Sequence, residues 1–224
     1  MEKRIFKDKV YSTLAKMIRA MANPRRLEII DLLGQGEKSV EEIAIETNMS
    51  VANASQHLQQ LRRVGLVAAR RDGKFIYYRL ADSAVLDLVA ALHRIAERNI
   101  ADVEQILRSY FRDRDSLEPV SRKELQQRLR KRAVTVLDVR PEDEFALGHV
   151  PGALNIPLGA LKKRISELDP SVEIVAYCRG PYCVLSFEAV ALLRERGFNV
   201  RRLEDGIPEW RAAGLPVETG AGES

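Results

Sequence analysis

Cysteine is scarce in this chain, with two residues in 224, Cys178 and Cys183. Two are too few for a disulfide framework; in a reducing compartment they read as catalytic, sensing or metal-binding. Long apolar runs are missing as well. No uninterrupted stretch approaches bilayer-spanning length, and the opening segment MEKRIFKDKV lacks the apolar centre of a secretory signal. A cytoplasmic protein with no membrane partner is therefore expected. Neither an internal repeat nor a long low-complexity tract interrupts the chain, and its length suits two modest domains, each burying its own core.

Charge is present but unevenly placed. The net charge is only +4, yet from Val51 to Leu80 six basic residues stand against one acid, Asp72. A concentrated basic stretch suits a polyanion. The same region sits in a helical half. Met1 to Ala22 carries apolar residues compatible with one helical face. Asn23 and Pro24 then restart the chain as N-cap and first helical residue, and Leu27 to Leu33 carries a helix to Gly34. Ser39 with Glu42 spells a capping box for a short helix to about Thr47, and Ser50 caps another from Val51 to Val64, ended by Gly65. Leu66 to Arg71 and Lys74 to Leu80 flank Asp72-Gly73, a strong hairpin signal. Ser83 to Phe111 returns to a helical pattern whose long apolar stripe, with that of the first helix, predicts a dimer interface.

A short helix, a tight turn through Asn48 and Met49, a second helix and a basic hairpin together spell a winged helix-turn-helix. The second helix would enter the major groove of double-stranded DNA. Ala54, Leu58 and Leu61 repeat at helical spacing and should pack inward, which leaves Asn53, Gln56, His57 and Gln60 nearer solvent. Asn and Gln can read adenine through two hydrogen bonds, whereas Ser50, Ser55, Arg62, Arg71 and Lys74 suit phosphate. The hairpin tip from Arg71 to Lys74 is the expected wing.

Residues 6–107, and above all MANPRRLEIIDLL, SVEEIA, MSVANASQHLQQLRRVGLV and RRDGKFIYYRL, resemble the ArsR family of dimeric winged-helix repressors. The resemblance implies a homodimer on a palindromic operator, released when an inducer changes the dimer. Metal-sensing members carry cysteines near the segment that here reads Glu37 to Glu42, and this half has none. An inducer signal would have to enter elsewhere.

Arg112 to Pro119, rich in alternating charge, reads as a linker. Beyond it strands and helices alternate: Ser121 to Arg130 helical, Val134 to Val139 strand, Leu161 to Leu168 helical, Glu173 to Tyr177 strand, Val184 to Arg196 helical, Val200 to Leu203 strand. That order predicts a parallel sheet with helices on both faces and a ligand site at the carboxyl ends of its strands. Both cysteines fall in one strand-to-helix loop, Tyr177-Cys178-Arg179-Gly180-Pro181-Tyr182-Cys183. A thiol there faces backbone N–H groups and the positive end of a helix, which favour the nucleophilic thiolate.

Residues 117–217 resemble a rhodanese domain. The strings that carry the likeness are Val136 to Arg140, Glu144-Phe145 with Gly148 to Pro157, the cysteine loop, and Glu204 to Trp210. The resemblance implies that Cys178 accepts sulfane sulfur from a donor such as thiosulfate as a persulfide and passes it to a thiophilic acceptor. Arg179 would help by charge or steer anionic donors, with Asp138 and Arg140 in support, His149 as a loop brace and Trp210 in the core. Where related loops place a second basic residue and a small hydroxyl residue, this chain has Pro181, Tyr182, Cys183 and Val184; relatives that handle phosphate or arsenate place an arginine at Val184 or a neighbour, so the resemblance disfavours phosphatase or arsenate reductase chemistry. Cys183 is either a resolving thiol that closes a bridge to Cys178 or a small loop filler, with a soft-metal site on both thiolates a third reading.

The expected fold has two domains, a mainly α winged helix-turn-helix over 1–111 and an α/β rhodanese-like parallel sheet over 120–217, joined by the 112–119 linker and followed by a 218–224 tail. The function expected is a transcriptional regulator, in the repressor sense, that senses or transfers reactive sulfur through Cys178, bridged in one state to Cys183. A sulfurtransferase tethered to DNA and an inert rhodanese module on a repressor are the alternatives. Implied partners are operator DNA, a sulfane-sulfur donor or thiol acceptor, and a second copy of the chain. No cofactor or metal is expected.

Overall fold

The computed structural model describes residues 3–100, 102, 105–106, 119–131 and 133–220. The expected helix end at Phe111, most of the 112–119 linker and the last residues of the tail lie outside the described residues. Two compact units, Met1–Val89 and Ala90–Ser224, divide the chain.

The first unit begins with α1 (Lys3–Met21), α2 (Pro24–Leu33), the two-residue strand β1 (Lys38–Ser39), α3 (Val40–Glu46) and α4 (Val51–Arg63). Side chains start these helices as their types require. Asn23 accepts the N–H groups of Arg25 and Arg26, Ser39 and Glu42 close the capping box, and Ser50 accepts the N–H of Asn53. The turn between α3 and α4 passes through Asn48 at φ +51°, a left-handed conformation that Asn tolerates. β2 (Val67–Asp72) and β3 (Phe75–Leu80) then form the hairpin, with Gly73 at φ +58° in its turn. Strand β1 pairs with the outer edge of β3, Lys38 opposite Tyr78. Two residues carry no readable alternation, so sequence pattern alone missed this strand. Ile29, Ile30, Ile43, Ala54, Leu58, Leu61 and Leu66 fill the core, and α5 (Ala84–Asn99) adds Val85 and Val89.

In the second unit β4 (Thr135–Asp138), β5 (Leu154–Asn155), β6 (Ile174–Tyr177) and β7 (Val200–Arg202) make a parallel sheet in the order β5-β4-β6-β7. Successive residues point to opposite faces. Leu137, Ile174, Ala176 and Cys178 join one core with Leu161, Ala189 and Leu193, while Val136, Val175 and Tyr177 join another with Leu125, Phe145 and Trp210. The covering helices are α6 (Arg122–Arg130), α7 (Glu142–Leu147), α8 (Leu158–Arg164), α9 (Val184–Glu195) and α10 (Ile207–Ala212). The helix expected from Leu161 starts earlier, at Leu158 behind Pro157, and ends in a 3-10 turn over Ile165–Glu167. α7 and α10 have six residues each, too few to show a helical period. Trp210 is buried and donates its indole N–H to the Pro216 carbonyl at 2.7 Å, the core role expected of it.

Candidate functional site

The parallel sheet sends the chain out of the carboxyl end of β6 directly into the cysteine loop, and α9 begins where the loop ends. Cys178 is buried, whereas Cys183, the N-cap position of α9, is half-buried. A disulfide joins the two, with Cα atoms 6.2 Å apart. The Cys183 N–H closes a tight turn on the Gly180 carbonyl at 3.1 Å, and the Ser186 hydroxyl donates to the Cys183 carbonyl.

Other groups hold this loop in place. Arg179 donates from Nε to both carboxylate oxygens of Glu144 at 3.1 and 3.0 Å and from Nη2 to Oε1 at 2.5 Å. Glu144, on α7, is almost fully buried. The guanidinium beside Cys178 is thus bound to a carboxylate, which limits the help it can offer an anionic donor. Nothing in the sequence marks this pair, because Glu144 lies 35 positions upstream and the two meet only through the fold.

Asp138 and Arg140 form a fully buried ion pair at the end of β4, with Arg140 Nη2 2.6 Å from Asp138 Oδ2 and also donating to the Gly148 carbonyl. Burial opposes the Arg140 charge, but hydrogen bonds and attraction from Asp138 raise its pKa above the usual value. Asp138 lies opposite Tyr177 in the β4–β6 register, so the pair braces the strand that delivers Cys178. Burial, then the Asp138 charge, pushes the Tyr177 phenol well up, keeping it protonated while it accepts the Val150 N–H at 3.1 Å. His149 is buried, stacks on Phe145 with 3.6 Å between ring centroids, and its Nδ1 lies 2.9 Å from the Phe145 carbonyl; it braces its loop.

The segment before α10 closes over the cysteine loop. A Cβ at Gly206 would lie 2.4 Å from the Arg179 carbonyl carbon and the Gly180 nitrogen, so only glycine permits this approach. Glu209, three residues on, accepts the Gly206 N–H at 3.0 Å, and its carboxylate oxygens lie 3.8 and 3.9 Å from where a Gly180 Cβ would stand. Burial pushes the Glu209 carboxyl above its usual range. Burial likewise raises Asp205, against the opposing pull of Arg122, which pairs with it at 2.6 Å. Glu144, Gly206 and Glu209 are the neighbours of the loop that spacing along the chain did not point to.

The first unit presents a second surface. On α4, Ala54, Leu58 and Leu61 are wholly buried, as their spacing predicts, and Asn53 and Gln56 are exposed. Ser55 and His57 are half-buried. Burial, then Arg26 and Arg25, hold the His57 imidazole below its ordinary pKa and therefore mostly neutral at pH 7. Gln60 accepts a hydrogen bond from Arg26 on α2, so its side chain is steered by a neighbour the sequence did not single out. The Ser50 hydroxyl oxygen accepts the cap hydrogen bond, which leaves its proton to donate. Arg62, Arg71 and Lys74 are exposed, and Arg71 Nε donates to the Gly73 carbonyl at the wing tip.

Comparison with known proteins agrees with these two units. Residues 23–69 match the family described as bacterial regulatory protein, arsR family, and residues 121–213 match the rhodanese-like domain. The HTH-type transcriptional regulator Rv0324 of Mycobacterium tuberculosis is 46% identical over 208 residues, covering 93% of this chain and 91% of that protein. A protein named sulfurtransferase from Allochromatium vinosum is 35% identical over 85 residues, covering 38% of this chain and 78% of its own length. Among solved structures, the homodimeric winged helix-turn-helix DNA-binding domain of Mb0332 from Mycobacterium bovis is 42% identical, covers 45% of this chain and 91% of its own, and has a TM-score of 0.41.

Proposed function

Because the chain belongs to the ArsR family of bacterial transcriptional regulators and carries a rhodanese-like domain, we propose that it is a repressor whose operator affinity is set by the sulfur state of Cys178. The observation that carries this reading is the bond between Cys178 and Cys183. They are the only cysteines in the chain, and none stands in the winged-helix unit.

The chemistry follows from the loop. Reduced Cys178, at the positive end of α9, attacks a sulfane donor and retains its outer sulfur as a persulfide while the remainder of the donor leaves. Once the persulfide has taken a proton from water, the Cys183 thiolate attacks its inner sulfur. A disulfide forms, the outer sulfur departs as hydrosulfide, and a cellular dithiol returns both cysteines to the reduced state. The loop thus has a reduced and a bridged form. A coupling of about 1–3 kcal/mol between loop and operator site is enough to regulate transcription.

Asn53 and Gln56 would read bases, and Arg62, Arg71 and Lys74 would hold phosphates. The acting form is a homodimer. Ile5, Phe6, Val10, Leu14 and Ile18 on α1, with Leu88 on α5, are exposed apolar residues of the first unit that a second copy of the chain would cover.

A gel-shift on the gene's own upstream DNA, with and without polysulfide, tests the reading. Polysulfide should change the shift of the wild-type protein and leave Cys178→Ser unchanged. An unaltered wild-type shift would overturn it.

A further inference from the structure

The cysteine loop is poor in positive charge. Between Tyr177 and Val184 the only cationic side chain is Arg179, and Glu144 neutralises it. A second carboxylate, Glu209, faces Gly180 from the segment that Gly206 presses against the loop. Arg122 donates to the Glu209 carbonyl at 2.9 Å but is itself paired with Asp205, so Arg179 and Arg122 stand against Glu144, Glu209 and Asp205, and these five side chains leave one excess negative charge beside the loop. Backbone N–H groups and the α9 terminus still favour a thiolate at Cys178, but a reagent bearing two negative charges meets a carboxylate without a matching cation from the loop.

We propose that this loop selects its sulfur donor by charge, taking uncharged organic polysulfanes and disfavouring dianions such as thiosulfate, with Glu209 as the selectivity-determining residue. The inference rests on the reading of Cys178 as the reacting sulfur. With an uncharged trisulfide, the Cys178 thiolate attacks a terminal sulfur, forms a mixed disulfide and expels an alkyl persulfide anion. Cys183 thiolate then displaces the remaining alkylthiolate and closes the bridge. The two cysteine thiolates are oxidised by two electrons, and the trisulfide is reduced to one persulfide and one thiolate. With thiosulfate, Cys178 takes the sulfane sulfur and sulfite leaves; the same resolution follows with release of hydrosulfide. Only this second route brings a dianion beside Glu209.

The test compares rates of bridge formation in the reduced full chain with dimethyl trisulfide and with thiosulfate, each followed by loss of free thiol and by mass. Glu209→Gln, which retains an oxygen to accept the Gly206 N–H, should raise the thiosulfate-to-trisulfide rate ratio about tenfold, the effect of roughly one nearby charge at intermediate dielectric. Glu209→Asp should keep the wild-type ratio. An unchanged ratio in folded Glu209→Gln would overturn the proposal. Wild-type protein supplies a measurement independent of any variant. An uncharged methanethiosulfonate should outpace its sulfonate-bearing analogue at Cys178 by more than it does on free cysteine, and equal preference would also overturn the proposal. If neither trisulfide nor thiosulfate modifies Cys178, the sulfur-sensing reading itself falls, a different outcome from loss of charge selection.

Discussion

Cys178 follows the last residue of β6 and Cys183 caps α9, so the disulfide between them ties strand to helix across five positions. The two cysteines differ in exposure, Cys178 being buried at the carboxyl end of the interior strand β6 and Cys183 half-buried. Removing Cys183 should trap chemistry on Cys178. After sulfane treatment, mass spectrometry of Cys183→Ser should find one added sulfur on Cys178, whereas wild type should return to the bridged mass. Equal persulfide accumulation in both would deny Cys183 a resolving role.

The buried Asp138–Arg140 pair supports the strand that carries Cys178. Asp138→Ala would leave a guanidinium charge with no exposure and without its carboxylate, a change that typically costs about 3–5 kcal/mol. Urea unfolding should show the loss. A cost under about 1 kcal/mol would mean that water or a rearranged partner replaces Asp138.

How much of this was readable beforehand depended on the range of the interaction. Caps, the Asp72-Gly73 turn and the buried triplet Ala54, Leu58 and Leu61 are set within a few residues, and the structure has them as the pattern implied. The alternating α/β order likewise announced the parallel sheet. The partners of the cysteine loop were hidden, since Glu144 and Glu209 reach it only through tertiary packing. Arg179 illustrates the difference. Its place beside Cys178 is plain from the sequence, whereas its ion pair with Glu144 is visible only in the fold.

Gly206 tests the packing of that loop. Gly206→Ala places a methyl 2.4 Å from the Arg179–Gly180 peptide, so either the loop or the α10 segment must shift. Overpacking of this kind costs about 1–3 kcal/mol. The alkylation rate of reduced Cys178 should change with it. A variant with wild-type stability and alkylation rate would show that the contact is not tight in solution.

Glu209 adds a pH signature. Burial raises its folded pKa above the unfolded value of 4.5. The protonated carboxyl is therefore the better-tolerated form, its contribution is fully present below pH 4.5, and it is lost as pH rises through the folded pKa. Glu209→Gln should gain stability over wild type at neutral pH, the gain fading as pH falls through the folded pKa and absent below pH 4.5. Paired urea titrations at the two pH values check this, and a gain independent of pH would assign it to packing instead of charge.

On the recognition helix, burial separates folding from reading. Leu58 is wholly buried, so Leu58→Ala should cost about 2–5 kcal/mol of stability. Gln56 is exposed; Gln56→Ala should change stability by no more than about 0.5 kcal/mol while weakening operator binding by about 1–3 kcal/mol. Thermal melts and DNA titrations of the two variants should show these opposite profiles. A Gln56→Ala variant that binds as well as wild type would remove Gln56 from the base-reading set.

The central claim is that the bond between residues 178 and 183 governs grip on DNA. Fluorescence anisotropy with one operator duplex, at fixed salt, measures it directly when wild-type protein is titrated fully reduced and then fully bridged. The account predicts dissociation constants that differ by about 5- to 150-fold, with the difference abolished in Cys178→Ser. Identical affinity in the two states would contradict it.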